Sequence, residues 1–221
     1  MKTRKSLEIG AVILLFAFIG GCAGTPVRDA VKVDMKLPVG AVEGNQFTGA
    51  RYPFKVSAPE NWKMATEYPK FMVALGYHKE GLEESEVFLF NPQTQSNLQI
   101  DFTPAGRYAT FDQQKMENLV NSITGEIEDE VKEHFGKDIK VTHGPTEPVN
   151  LRGVPFAAKK YSTYKVQGQT REQGWIYAFT EPYQIFILYM VMEKDAGNDH
   201  KAIKAIKAIL DSFEYISAGE K

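Results

Sequence analysis

The sequence contains a single cysteine and only four histidines. A lone cysteine cannot close an intramolecular disulfide, so the fold does not depend on a disulfide framework. The histidines, His78, His134, His143 and His200, show no His-Glu-x-x-His or other metal-ligand spacing. We therefore expect solvated or hydrogen-bonded imidazoles, and we predict neither a metal site nor a cofactor.

The sequence also lacks the common motifs of hydrolases and nucleotide-binding proteins. It has no Gly-x-Ser-x-Gly elbow, no phosphate-binding Gly-x-x-x-x-Gly-Lys loop and no dinucleotide-binding Gly-x-Gly-x-x-Gly sequence. With 26 basic and 28 acidic residues, it also lacks the excess of positive charge that neutralises nucleic-acid phosphates. We predict a protein that is not an enzyme, has no catalytic residues and does not bind nucleic acid.

The N-terminal residues have the layout of a secretory signal. Three basic residues among the first five precede an apolar run over residues 9–19, and Gly20, Gly21 and Cys22 follow it. The run is shorter than the roughly 20 residues that a membrane-spanning helix needs. We therefore predict a cleaved signal peptide over residues 1–21.

The residues around Cys22 predict its lipidation. Ile19, Gly20, Gly21 and Cys22 resemble the lipobox of bacterial lipoproteins, in which small neighbours let the modifying enzymes reach the thiol. Acylation also explains why an exported chain has one unpaired cysteine, and several acyl chains give stable anchoring. The alternative is an ordinary signal peptide with an incidental cysteine. Ala23 follows the lipidation site, so we expect the periplasmic face of the outer membrane if the host has two membranes.

The mature chain divides into a tether and a domain. Residues 22–48 are punctuated by proline and glycine, as is typical of a linker, although the alternating residues 31–37 could form an edge strand. The domain is predicted over residues 49–217. It begins with a strand near residues 52–57, followed by a hairpin over 86–90 and 96–102.

Two amphipathic helices and further strands complete the pattern. Apolar residues recur at three- and four-residue steps from Met116 to Val131, with Thr110 and Gln113 as a capping box and Gly136 as a stop. Strands follow over 157–166, 175–180 and 183–192, and a last helix over 199–210. Strands and helices do not alternate regularly, so we predict an α+β fold, with helices packed on an antiparallel sheet.

This order of elements resembles the PsbP/DcrB-like superfamily. The resemblance covers roughly residues 50–215 and includes Pro59-x-x-Trp62 after the first strand, the three-stranded meander and the closing Ile209-Leu-Asp-Ser212-Phe213. It implies a compact antiparallel sheet flanked by helices, in a family whose members are mostly not enzymes and dock on larger partners. It implies no catalytic or ion-binding residue in this chain.

Two residue clusters could carry chemistry. The acidic groups at Glu83, Glu84 and Glu86 and at residues 126–130 could bind calcium, but successive helical positions diverge, so we interpret the second as a solvated helix face. The other cluster is aromatic, and alternation places Trp175, Tyr177 and Phe179 on one face of their strand and Tyr183, Ile185, Ile187 and Tyr189 on one face of the next. Most of these rings should form the core, and some tyrosines could border a groove.

The leading hypothesis is therefore an envelope lipoprotein, anchored through Cys22, whose non-catalytic domain docks on another envelope protein or assists assembly. One alternative is a lipoprotein that binds a small apolar or amphipathic ligand between sheet and helix. A second alternative is a hydrolase whose catalytic residues converge from distant positions.

Overall fold

The structure is a computed structural model. It describes residue 29 and residues 31–75, 85–107, 109–193 and 200–216. The predicted signal peptide, Cys22, His78, Glu83 and Glu84 lie outside the described residues. The chain divides into two compact units, one of residues 31–105 and 111–221 and the other of residues 1–30 and 106–110. The first contains every element below; in the second, the Ala109 amide donates to the Gly106 carbonyl at 2.9 Å.

The described residues form twelve strands and four helices. The strands are β1 Gly40–Glu43, β2 Gln46–Gly49, β3 Phe54–Ser57, β4 Lys63–Ala65, β5 Val87–Phe90, β6 Asn97–Pro104, β7 Thr142–His143, β8 Glu147–Pro148, β9 Phe156–Val166, β10 Gln169–Thr180, β11 Tyr183–Glu193 and β12 Glu214–Tyr215. The helices are α1 Phe71–Ala74, α2 Gln113–Ser122, α3 Thr124–Phe135 and α4 Lys201–Ser212. None of these helices is long and apolar enough to cross a bilayer.

Two antiparallel sheets form the body of the larger unit. The main sheet has the order β4-β5-β6-β11-β10-β9-β7, with β8 also paired to β9, and the smaller sheet has the order β1-β2-β3-β12. The long strands β9, β10 and β11 are consecutive antiparallel neighbours, as their short connections predict. Gln167 and Gly168 turn the first connection with φ of 51° and 79°, as a two-residue type I′ hairpin requires.

Apolar side chains cover both faces of the main sheet. One face packs against the smaller sheet and α4, with Phe54, Ile176, Ile187 and Phe213 in the shared core. The other face packs against α1, α2 and α3 through a second core, whose members include Phe88, Met116, Val120, Trp175 and Met190. The arrangement confirms the predicted α+β class with helices on an antiparallel sheet.

The predicted alternation of the aromatic strands is confirmed. Trp175, Tyr177 and Phe179 all pack in or against the core under α2 and α3. On the next strand, Tyr183, Ile185, Ile187 and Tyr189 pack in or against the opposite core. Successive side chains of a strand point to opposite faces, so this period of two separates the two layers.

The helical segment between β6 and β7 differs from the prediction. It consists of two helices, separated by Ile123 at φ −86° and ψ 1°. The predicted capping box of Thr110 and Gln113 is wrong, because the N-cap is Asp112, whose carboxylate accepts from the Lys115 amide at 2.8 Å. Gly136 ends α3, as predicted.

The folded body begins earlier than residue 49. The strand β1 and the first three residues of β2 lie within residues 22–48, which the sequence assigned to the tether, and β2 places Phe47 fully in the core. The edge strand predicted over residues 31–37 is absent; these described residues include only a turn, in which the Leu37 amide donates to the Asp34 carbonyl at 3.1 Å. The strand β2 is too short for its alternating pattern to predict it, and the packing of the Phe47 ring in the core holds it in the sheet.

Candidate functional site

A cavity of about 570 Å³ lies between the main sheet and α4. Its volume is within the range of roughly 300–1,000 Å³ that small-molecule sites occupy. The sheet contributes Lys159 and Tyr161 from β9, Glu172 from β10, and Tyr189 and Val191 from β11. The segment Glu147–Asn150, which includes β8, closes one side, and α4 forms the opposite wall.

Two tyrosines form an aromatic floor because glycines leave room for their rings. Tyr161, Gly174 and Tyr189 are paired side by side across β9, β10 and β11. A Cβ atom on Gly174 would lie 2.0 Å from the Tyr189 Cζ, and one on Gly144 would lie 2.2 Å from the Tyr161 Cζ. Each ring therefore lies over a glycine backbone. Glycine inside a strand is typical of such a close approach.

Polar groups lie beside this aromatic floor. The Tyr189 hydroxyl donates to Glu172 Oε1 at 3.1 Å, and Lys159 Nζ lies 3.0 Å from Glu147 Oε2. Burial, followed by the negative charge of Glu172, raises the pKa of Tyr189 above its usual value. The phenol therefore stays protonated near neutral pH and can donate its hydrogen bond to the carboxylate.

The wall formed by α4 is apolar toward the sheet and charged at its outer edge. Ile206 is buried, while Ile203 and Leu210 are partly buried against the same core. Lys207 and Asp211 border the cavity and pair at 2.6 Å between Nζ and Oδ2. The cavity thus has aliphatic side chains on its helix side and carboxylates, phenols and a lysine on its sheet side.

A larger depression, of about 630 Å³, lies next to this cavity. It is lined by residues 150–155 and Asp211, and it shares Asn150 and Asp211 with the cavity under α4. No strand of the main sheet contributes a wall to it. Because a single loop forms most of its surface, the depression offers a ligand little enclosure, and we take the cavity under α4 as the candidate site.

The structure does not gather the described histidines into one site. His134 contacts the ring of Phe135, and His200 is the N-terminal residue flanking α4, with φ of 46°. His143 lies on β7, bonded to side chains of β9 and α3. Within the described ranges, no group of three or more His, Cys, Asp or Glu side chains has a metal-binding arrangement.

The contacts of His143 have the composition of a catalytic triad but lack its geometry. Ser162 Oγ lies 2.8 Å from Nδ1 and Glu128 Oε2 lies 2.9 Å from Nε2, which reverses the nitrogens that a Ser-His-Asp triad uses. Ser162 is also completely buried, so its hydroxyl cannot reach a substrate. The arrangement instead ties α3 to β7 and β9.

The two acidic clusters lie apart, and the second lies on a helix, as the sequence predicted. Glu128 pairs with Lys132 and His143, and hydrogen bonds from these two side chains lower its pKa. Glu86, which the sequence offered as a possible calcium ligand, is instead buried beside Arg51, with 3.9 Å between Oε1 and Nη1. No pattern in the sequence indicated that the residue before β5 would carry a buried carboxyl.

Comparison with known proteins places the fold. No family model matches the chain, and no curated protein sequence matches it. Among solved structures, the solution structure of cyanobacterial PsbP (CyanoP) from Synechocystis sp. PCC 6803 aligns over 81% of this chain and 99% of its own, with 10% identity and a TM-score of 0.50. The class defined above, an antiparallel sheet flanked by helices, is therefore a PsbP-like fold, as the sequence predicted.

Two other solved structures are similar at lower scores. A protein from Bacteroides thetaiotaomicron aligns over 81% of this chain and 51% of its own, with 13% identity and a TM-score of 0.44. LpqN of Mycobacterium tuberculosis, described as involved in cell envelope biogenesis, aligns over 73% of this chain and 82% of its own, with 11% identity and a TM-score of 0.46. At such identities these likenesses concern the fold and transfer no residue roles.

Proposed function

We propose that this chain is a lipid-anchored, non-catalytic envelope protein that binds a small amphipathic molecule between its main sheet and α4. The observation that carries the proposal is the cavity of about 570 Å³, with an aliphatic wall on α4 and a tyrosine floor on the sheet. Ligand sites are commonly concave and mostly apolar, with a few convergent polar groups that fix orientation. The cavity therefore favours ligand binding over docking, the hypothesis that the sequence placed first.

Anchoring through Cys22 is part of the same proposal. It is supported by the signal-like N-terminus and the lipobox-like residues before the cysteine. Labelling the producing cells with an alkyne palmitate analogue should mark the wild-type protein, whereas Cys22→Ser should remain unlabelled and leave the membrane fraction. Equal labelling of both proteins would refute lipidation at this residue.

The absence of catalysis in this proposal is supported by the cavity and by the His143 contacts. Among the described residues that line the cavity there is no serine, cysteine or histidine, the residues that supply the nucleophile and base in triad-type hydrolysis. Screening the purified protein with ester, peptide and phosphoester substrates should give no turnover above that of a Tyr161→Leu variant.

Native mass spectrometry of protein purified from its host tests ligand binding. We expect a bound small molecule on the wild-type protein and its loss in Ile203→Trp, because the indole would fill the cavity from its helix wall. Lys204→Trp is the matched control, since it adds the same ring to an exposed position of α4. A ligand-free wild-type protein, or equal occupancy in both variants, would contradict the proposal.

Docking on another envelope protein is the second candidate. The large apolar side chains that are exposed in the described part of the chain are Met35, Leu37 and Val42, at 60%, 44% and 42%. They lie in or just before the edge strand β1. Crosslinking in intact cells should capture one reproducible partner with the wild type and lose it when all three become serine. The matched control is Lys63→Ser on the edge strand β4.

A further inference from the structure

We infer that the molecule in the cavity under α4 carries a positively charged head group, held against the sheet, and an apolar part that lies along α4. This inference rests on the proposed ligand-binding function. Its basis is the placement of charge, aromatic rings and aliphatic side chains within one enclosed volume of about 570 Å³.

The charges around the cavity favour a cation. Three carboxylates line it, those of Glu147, Glu172 and Asp211, against two ammonium groups, those of Lys159 and Lys207. Each lysine already lies within 3.0 Å of a lining carboxylate, Lys159 at Glu147 and Lys207 at Asp211. The lining therefore has a net negative charge, and its lysines are not arranged as a site for an anion.

The carboxylates closest to the sheet act on one phenol. Glu172 accepts the hydrogen bond of Tyr189, and the negative charges of Glu172 and Glu147 both contribute to the raised pKa of this tyrosine. The phenol of Tyr161 also contributes to the raised pKa of Tyr189. Two carboxylates and two phenols from β8, β9, β10 and β11 thus line the same cavity, where a cationic head group would be stabilised.

The tyrosine rings add a second attraction for a cation. Tyr161 and Tyr189 lie against Gly144 and Gly174, and both residues also line the cavity. The face of an aromatic ring carries partial negative charge and attracts ammonium groups, quaternary ones included. Because Tyr189 remains protonated, its ring does not add a formal charge of its own.

The apolar wall determines where the rest of the ligand lies. Ile203, Ile206 and Leu210 on α4 face Val191 across the cavity. An aliphatic chain placed there would replace water on apolar surface, while its charged end remained over the tyrosines and carboxylates. A short alkylammonium compound satisfies both requirements, whereas a phosphate or sulfate amphiphile would meet a surface of its own charge.

Three short amphiphiles that differ only in head group test the inference. The lipidated protein in phosphatidylglycerol nanodiscs, whose head group carries no cation, is titrated in a calorimeter with hexyltrimethylammonium, hexyl sulfate and hexyl glucoside, and empty nanodiscs supply the blank. We expect the ammonium compound to bind at least about tenfold more tightly than the other two. Its affinity should fall as sodium chloride rises, because salt screens the attraction.

Two variants locate the selectivity. Glu172→Gln should lower the affinity for the ammonium compound about tenfold and leave the affinity for the glucoside within about twofold of the wild-type value. Tyr161→Leu should lower the affinity for the ammonium compound more than the affinity for the glucoside. Glu60→Gln, an exposed acid outside the cavity, is the matched control and should retain the preference. Circular dichroism and thermal unfolding must show that each variant is folded as the wild type.

The outcomes separate the two proposals. If none of the three compounds binds the wild-type protein, the ligand-binding function itself is contradicted. If the sulfate or the glucoside binds as tightly as the ammonium compound, the cavity binds amphiphiles but the cation preference is wrong. Retention of the full preference in Glu172→Gln would likewise overturn the role given to that carboxylate.

Discussion

The buried carboxyl of Glu86 should make the stability of the protein depend on pH. Its side chain is 2% exposed, and burial raises its pKa from 4.5 to about 7, against a smaller opposing effect of Arg51 and with a further increase from Asp101. The folded protein therefore keeps a proton on Glu86 at pH values where the unfolded chain has released it.

The sign and size of the effect follow from this difference. Below about pH 4.5 both states hold the proton, and Glu86 contributes no pH dependence. Between about pH 4.5 and 7 the folded state binds more protons than the unfolded chain, so the free energy of unfolding falls as pH rises, by at most about 1.4 kcal/mol per pH unit. The whole interval accounts for about 3 kcal/mol, and the loss is complete above pH 7.

Glu86→Gln removes the titrating group while keeping its shape, so it isolates this contribution. We expect wild type and variant to be similarly stable at pH 4.5, and the variant to be more stable at pH 8 by up to about 3 kcal/mol. Urea unfolding followed by the fluorescence of the buried Trp175 measures the difference. The control is Glu60→Gln, at an exposed position. A difference between wild type and Glu86→Gln that stays constant from pH 4.5 to 8 would refute the reasoning.

Four further predictions concern the helices and the packing of the main sheet. Trp175→Phe removes a 2.8 Å hydrogen bond to a carbonyl of α2 and buried volume, and urea unfolding followed by circular dichroism should show a loss of about 1–3 kcal/mol. Asp112→Ala removes the α2 N-cap and should cost about 1 kcal/mol in the same assay, with weaker amide protection in the first turn. Gly174→Ala drives a Cβ into the Tyr189 ring and should cost about 1–3 kcal/mol and empty the cavity of ligand. Gly125→Ala, in α3 with open space around it, should instead stabilise by about 0.5–1 kcal/mol.

The strand pattern of the main sheet could be predicted from the sequence because each central strand is long and flanked by clear turn signals. The strands β9, β10 and β11 each have at least eleven residues and are joined by two-residue connections, although the sequence predicted only residues 175–180 of β10. The same reasoning failed for β1 and β2. Each of these has only four residues, and their place in the fold depends on Phe47 packing against Phe54, a contact between different strands.

The helix boundary between α2 and α3 shows a second limit of periodicity. Apolar residues continue at helical spacing through Ile123, so the sequence predicted one helix. In the structure, α2 ends before Ile123, and α3 begins with Thr124 and Gly125. The N-cap was misplaced because Thr110 and Asp112 are both good capping residues, and only the hydrogen bond to the Lys115 amide distinguishes them.

The cavity could not be predicted in the same way, because its walls come from five elements, β8, β9, β10, β11 and α4, and the strand and helix patterns do not show how these elements pack on one another. Alternation did place Tyr189 on the face opposite Trp175, but it does not show which face remains open. The signal that was missed is glycine. Gly174 lies inside β10, directly before Trp175, and a glycine inside a strand indicates that a large group approaches the backbone.

The two halves of the aromatic run therefore have different roles. The rings of Trp175 and Phe179 point toward α2 and α3, where they are buried in the second core. On the opposite face, Gly174 leaves room for the Tyr189 ring to lie against the sheet. The ring therefore forms the floor of the cavity and does not fill the space beneath α4. A bulkier residue at 174 would raise the ring toward Ile206 and close that space. The affinity of the site for any ligand should thus depend on one residue that never touches it.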